Sequence, residues 1–172
     1  MTWLLLLVIG VALLLAFANG ANDNGKGVAT LIGSGTLSLR AAVWLAAGAT
    51  LAGSVAALWL AGNLAARFSG KGIVEPELVA NVAFPLCIGL AAAVTVLLAT
   101  RLGMPVSTTH ALVGAMVGIG ASAGALHWQT AAVVLFLPLL ASPLASAALA
   151  AVAYVVFRFT RKQLGVGHQL CV

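Results

Sequence analysis

From Leu102 to Phe157 the chain runs for 56 residues without one Asp, Glu, Lys or Arg. No other feature restricts its folding so much. A run of that length suffices for two helical crossings of roughly 30 Å of hydrocarbon and a tight connection between them. Ala41 to Asn63 and Leu78 to Thr100 are equally free of charge and each exceed twenty residues. A chain of 172 residues that is 63% hydrophobic and 6% charged, with mean hydropathy +1.17, falls outside the range of soluble domains. The fold class expected is therefore an all-α polytopic membrane protein. Its length suits a single transmembrane domain over residues 1–172.

Five crossings follow: Thr2 to Ala18, Ala41 to Gly62, Leu78 to Thr100, Ser107 to Ser122 and Thr130 to Phe157. Ala16-Phe17-Ala18 has the form of a signal-peptidase site, but no basic residue opens the chain, so a retained first helix is expected. Cys87 falls inside a crossing and Cys171 near the end, which suits neither a disulfide framework nor a metal site.

Eight basic residues against three acidic give a net charge of +5. The basic residues sit in short connectors and a tail, not on one surface, which argues against a nucleic-acid partner. Antiparallel neighbours would put Arg40, Arg101, Arg158, Arg161 and Lys162 on one face of the membrane. The other face receives Arg67 and Lys71, offset by Glu75 and Glu77. The positive-inside rule then predicts a cytoplasmic C-terminus, an outside N-terminus and a place in the inner (cell) membrane.

Against this apolar background one stretch stands out: "NGANDNGKGVATLIGSGT", Asn19 to Thr36, with five glycines, three asparagines, Asp23 and Lys26. It is too polar for a lipid-facing helix. Irregular backbone at membrane depth survives where protein surrounds it or it lines a wet cavity. Residues 19–38 are accordingly expected to form a re-entrant, broken segment that dips from the cytoplasmic face. Asp23 is costly there without a partner, ion or water. Lys26 stands at i+3, within pairing reach on one helix face, and Asn19, Asn22 and Asn24 add amide oxygens.

A second interrupted segment spans residues 103–120, "GMPVSTTHALVGAMVGIG". Ser107 suits an N-cap, and Thr108 and Thr109 place hydroxyls beside the first free N–H groups. A helix N-terminus in a membrane offers an anion donors and positive dipole without a cationic side chain. His110 suits a proton relay or, more simply, a hydrogen bond to a neighbouring helix. Two interrupted segments in one chain mark a transporter's binding site, built where helix ends meet.

"GANDNGKGVATLIGSGT" and "PVSTTH", in that order and roughly eighty residues apart, resemble the inorganic phosphate transporter (PiT) family of sodium- or proton-coupled phosphate symporters. The "GSGTLSLR" continuation also resembles that family's N-terminal repeat. The resemblance implies cation-coupled symport of inorganic phosphate by a fold of two inverted repeats. It implies phosphate binding by Asp23, Ser107, Thr108 and Thr109. It places the coupling cation, or a tethered charge, at Asn22, Asp23 and Lys26. The coupling ion would be sodium or a proton, and no other cofactor is implied. Lys26 departs from the family, which usually carries an Asn there.

A full member has two such repeats, and this chain contains a single "GAND" and a single "STTH". It therefore reads as one half of an inverted-repeat transporter, whose odd number of crossings lets a following copy insert inverted. Its expected partners are lipid, phosphate and a second PiT-like half on a separate chain, or another copy in a homo-oligomer. A small dimeric exporter of another solute and a non-transporting membrane subunit are the alternatives. An enzyme is not expected, because no nucleophile–base pair, metal cluster or nucleotide loop is visible.

Overall fold

The computed structural model describes residues 2–60 and 69–163. Its long elements are all helical. They are α1 (Thr2–Gly33), α2 (Leu39–Leu60), α3 (Pro76–Ala80), α4 (Ala83–Arg101), α5 (Thr108–Ser122), α6 (Trp128–Ala131), a π-helical segment (Ala132–Phe136) and α7 (Leu137–Gln163). Among the described residues, four helical stretches are long and apolar enough to cross a membrane: Thr2–Gly33, Leu39–Trp59, Ala83–Arg101 and Trp128–Arg161. Helix is the economical form for such segments because it satisfies every interior N–H and C=O within the segment itself. The last two residues of the expected second crossing, Ala61 and Gly62, lie outside the described residues, as do Arg67 and Cys171; Cys87 is a free thiol.

The chain forms two compact units, Met1–Trp128 and Gln129–Val172. In the first, α1 packs on α4 and α2, and α4 packs on α5. Register shows the directions. A Cβ added at Gly89 would fall 2.7 Å from Val11 Cγ1. Further along, Ala18 packs against Ala93 and Val96. Further still, Asn22 reaches Thr100. Both numbers rise together, so α1 and α4 run parallel. Small residues at 18, 89 and 93 allow this close approach where lipid supplies no hydrophobic driving force between helices. Val28 packs with Ala42 and Ala46 across the turn, so α1 and α2 form an antiparallel hairpin. The Arg101 end of α4 therefore lies level with Asn22, short of the α1–α2 turn that Arg40 follows.

The expected re-entrant break at residues 19–38 is not present. α1 continues as regular helix through Asn19–Lys26 to Gly33, and the chain leaves helix only over residues 34–38. Satisfaction of backbone polar groups outweighs the poor helix propensity of glycine and asparagine, each worth at most about 1 kcal/mol. At 32 residues α1 is about 48 Å long, well beyond one hydrocarbon thickness.

The expected third crossing is divided. Asn81 is extended (φ −77°, ψ 123°), and its Oδ1 accepts the Ala83 N–H at 2.9 Å. A short polar side chain thereby replaces a helical acceptor and starts α4 afresh. In the second unit Pro138 and Pro143 each withhold an N–H. Just before the first of them the helix loosens to a π turn, with Leu137 N–H bonding to Ala132 O.

Candidate functional site

The break between α4 and α5 is built from the sequence upward. α4 ends in a Schellman motif: Gly103 N–H bonds to Thr100 O at 3.1 Å and Met104 N–H to Ala99 O at 2.8 Å. Gly103 takes φ +69°, which a side chain would resist, and Pro105 prevents the helix from resuming. Ser107 is extended, and its Oγ accepts the His110 N–H at 3.3 Å. It is the N-cap, as its position suggested. Its own carbonyl accepts from Ala111. Helix geometry leaves over the N–H groups of Thr108 and Thr109, the first two of α5.

The polar stretch of α1 meets this break. Asn22, Asp23 and Lys26 share one helix face through their i+3 and i+4 spacings. Lys26 Nζ lies 2.6 Å from Asp23 Oδ1, 2.6 Å from Asn22 Oδ1 and 2.8 Å from the Val106 carbonyl oxygen. Asn22 Nδ2 donates to Thr100 Oγ1 at 2.9 Å, and Thr108 Oγ1 donates to Asn19 Oδ1. Two stretches about eighty residues apart are thus joined by direct hydrogen bonds. Between them lies an open cavity of about 720 Å³, lined by Asn19, Asp23, Lys26, Ser107, Thr108 and Thr109. Every phosphate-site and cation-site candidate except Asn22 borders it, and Asn22 is tied to its wall through Lys26.

His110 stands apart from this cavity. It is exposed, gives its backbone N–H to the cap, and borders a separate recess with Thr95 and Ser107. Asn24 faces the other side of α1, where Thr50 Oγ1 of α2 donates to its Oδ1 at 2.9 Å. Thr100, Thr50 and the Val106 carbonyl escaped sequence reasoning. The two threonines sit in apolar runs without motif, and a main-chain carbonyl has no sequence signature. By register the cluster lies at the Arg101 end of α4 but opposite the middle of α2.

Chemically the cavity has two unlike walls. The α1 wall presents a carboxylate already neutralised by an ammonium, so it does not repel an anion as a lone Asp would. The α5 wall presents hydroxyls, free N–H groups and the positive end of the helix dipole, the donor set of an anion site.

The model of the phosphate transporter family matches residues 19–169. The "Probable low-affinity inorganic phosphate transporter" of Streptomyces halstedii is 34% identical over 148 residues, which is 85% of this chain and 67% of that protein. The protein of the same name from Mycobacterium tuberculosis (strain CDC 1551 / Oshkosh) is 34% identical over 92% of this chain and 38% of its own length. The "Sodium-dependent phosphate transporter" of Toxoplasma gondii is 32% identical over 91% of this chain and 18% of its own length. The chain thus spans about two thirds of the first relative and well under half of the other two. No solved structure matches. With its two polar segments joined in one cavity and the family model covering most of its length, the chain belongs to the phosphate transporter family, a family of transporters and not of enzymes.

Proposed function

We propose that this chain carries inorganic phosphate across the inner (cell) membrane by cation-coupled symport, as one half of a transporter completed by a second PiT-like half. One observation supports it above others: Asp23–Lys26 on α1 and Ser107–Thr109 at the start of α5 line a single cavity. In this reading the phosphate oxygens take the N–H groups and hydroxyls of Thr108 and Thr109, with Ser107 holding the helix start in place. Asp23 also borders the phosphate, and with Asn22 and Lys26 it serves the coupling cation, sodium or a proton, or holds a tethered charge in its stead. Neutral donors and a dipole hold the anion firmly enough to capture it and loosely enough to release it. The cavity is open, and in this reading a second half closes it. The chain sits with its N-terminus outside and its C-terminus in the cytoplasm.

A small exporter of organic cations fits less well, since Asp23 is paired with Lys26 and Asn22 and not with aromatic rings. The test is phosphate uptake into proteoliposomes holding this chain together with a second-repeat chain of the family. Uptake that requires both chains is expected. No uptake in any pairing would leave a non-transporting membrane subunit.

A further inference from the structure

Lys26 differs from an ordinary surface lysine. An ammonium carries three N–H donors and no acceptor. Here three oxygens of three kinds stand around it: the Asp23 carboxylate at 2.6 Å, the Asn22 amide at 2.6 Å and the Val106 main-chain carbonyl at 2.8 Å. All three protons are therefore used within the chain. Carboxylate, amide and main-chain oxygens are also the ligand types that hard metal cations select.

Two of these oxygens come from the same face of α1 as Lys26 itself, and the third comes from the turn before α5. Asn22 is in turn anchored through its Nδ2 to Thr100, whose Oγ1 donates to Val96 O at 2.7 Å. The amide oxygen is thereby oriented toward Nζ and away from α4. The Asn22 and Val106 oxygens are thus held by other parts of the fold, and the Asp23 carboxylate joins them at the ammonium.

We propose that Lys26 is a resident cation: its ammonium occupies a small-cation site formed by Asn22, Asp23 and Val106, so that this site takes no free sodium. The inference rests on the transport reading only for its consequence, that transport needs one sodium fewer per cycle than an amide at position 26 would require. Replacing Lys26 with methionine keeps much of the stem and removes the charge. The three oxygens then remain with an uncompensated carboxylate, which recruits a cation from solution.

The experiment compares sodium with choline on the full chain in lipid nanodiscs. It is run without phosphate. Thermal unfolding and retention of radioactive sodium are read for wild type, Asp23→Asn, Lys26→Met and Lys26→Met/Asp23→Asn. Sodium is expected to leave the wild-type Tm unchanged, to raise that of Lys26→Met by several degrees, and to lose this effect in the double variant. A wild type that gains the same sodium-dependent shift, abolished by Asp23→Asn, would overturn the proposal even if Lys26→Met does not fold. So would a folded Lys26→Met that retains no sodium. Because phosphate is absent, failure of phosphate uptake in proteoliposomes strikes the transport reading and leaves this result standing.

Discussion

The α4–α5 hairpin is tied at both ends, and the two ends are tied differently. At the Arg101 end the ties run through side chains: Asn22 to Thr100, Lys26 to Val106 and Thr108 to Asn19. At the other end they run through the main chain. Glu75 N–H bonds to Ala125 O at 2.9 Å and His127 N–H to Ile73 O at 2.8 Å, over a fully buried Val74. Side-chain hydrogen bonds can be exchanged for bonds to a ligand, because rotamers move without disturbing the fold. Main-chain pairing cannot be exchanged without moving the loops themselves. One end of the hairpin is therefore responsive and the other fixed, joined by a core that includes Phe84, Ile88, Ala92, Val96, Val113 and Met116.

The strongest challenge to this contrast is Asp23→Ala. Loss of the carboxylate frees the Lys26 ammonium beside the cavity, and phosphate uptake is expected to fall by roughly a hundredfold or more with insertion intact. Uptake within a few-fold of wild type would show that the side-chain end is structural after all.

Gly120→Val probes the fixed end. A Cβ at Gly120 would stand 3.3 Å from both Val74 Cγ2 and Leu126 Cδ1. Overpacking there is expected to cost about 1–3 kcal/mol, seen as a lower Tm with unchanged phosphate affinity. A change in affinity without loss of stability would reverse the assignment of the two ends.

Ser107→Ala sharpens the responsive end. Losing the acceptor for the His110 N–H is expected to cost about 1 kcal/mol and to weaken phosphate binding several-fold, because the start of α5 loosens. Calorimetric titration of phosphate would show whether affinity follows the cap. The smallest effect is expected for His127→Gln. Its ring lies 3.4 Å from Glu75, and both side chains are about half exposed. Thermal unfolding is expected to change by less than about 0.5 kcal/mol, since exposed pairs contribute little and the main-chain bond of residue 127 survives.

Much of the architecture is legible in the sequence. Charge-free runs announced the long helices, and Gly103-Met104-Pro105 followed by Ser107 announced a helix end and a capped restart. The polar stretch of α1 was legible as functional and misleading as structure. Five glycines and three asparagines suggest broken backbone, yet the requirement that backbone groups be satisfied carries the helix on to Gly33. Asn81 misled in the opposite sense: one amide in an apolar run divides what composition shows as a single crossing.

By itself the sequence determined that the chain is an all-α membrane protein, where most of its long helices run, and which two polar segments resemble the family's. These follow from hydropathy, charge placement and local capping, all readable over a few turns of chain. Only the tertiary structure decided that Lys26 meets Val106 and that Asn22 meets Thr100. Those contacts depend on α1 and α4 running parallel in one particular register. That register is set by Ala18 against Ala93 and Val96 and by the bare backbone at Gly89. Small residues recur throughout the chain, and their shape complementarity across 75–78 residues of sequence separation is a property of surfaces in contact, which local sequence does not encode.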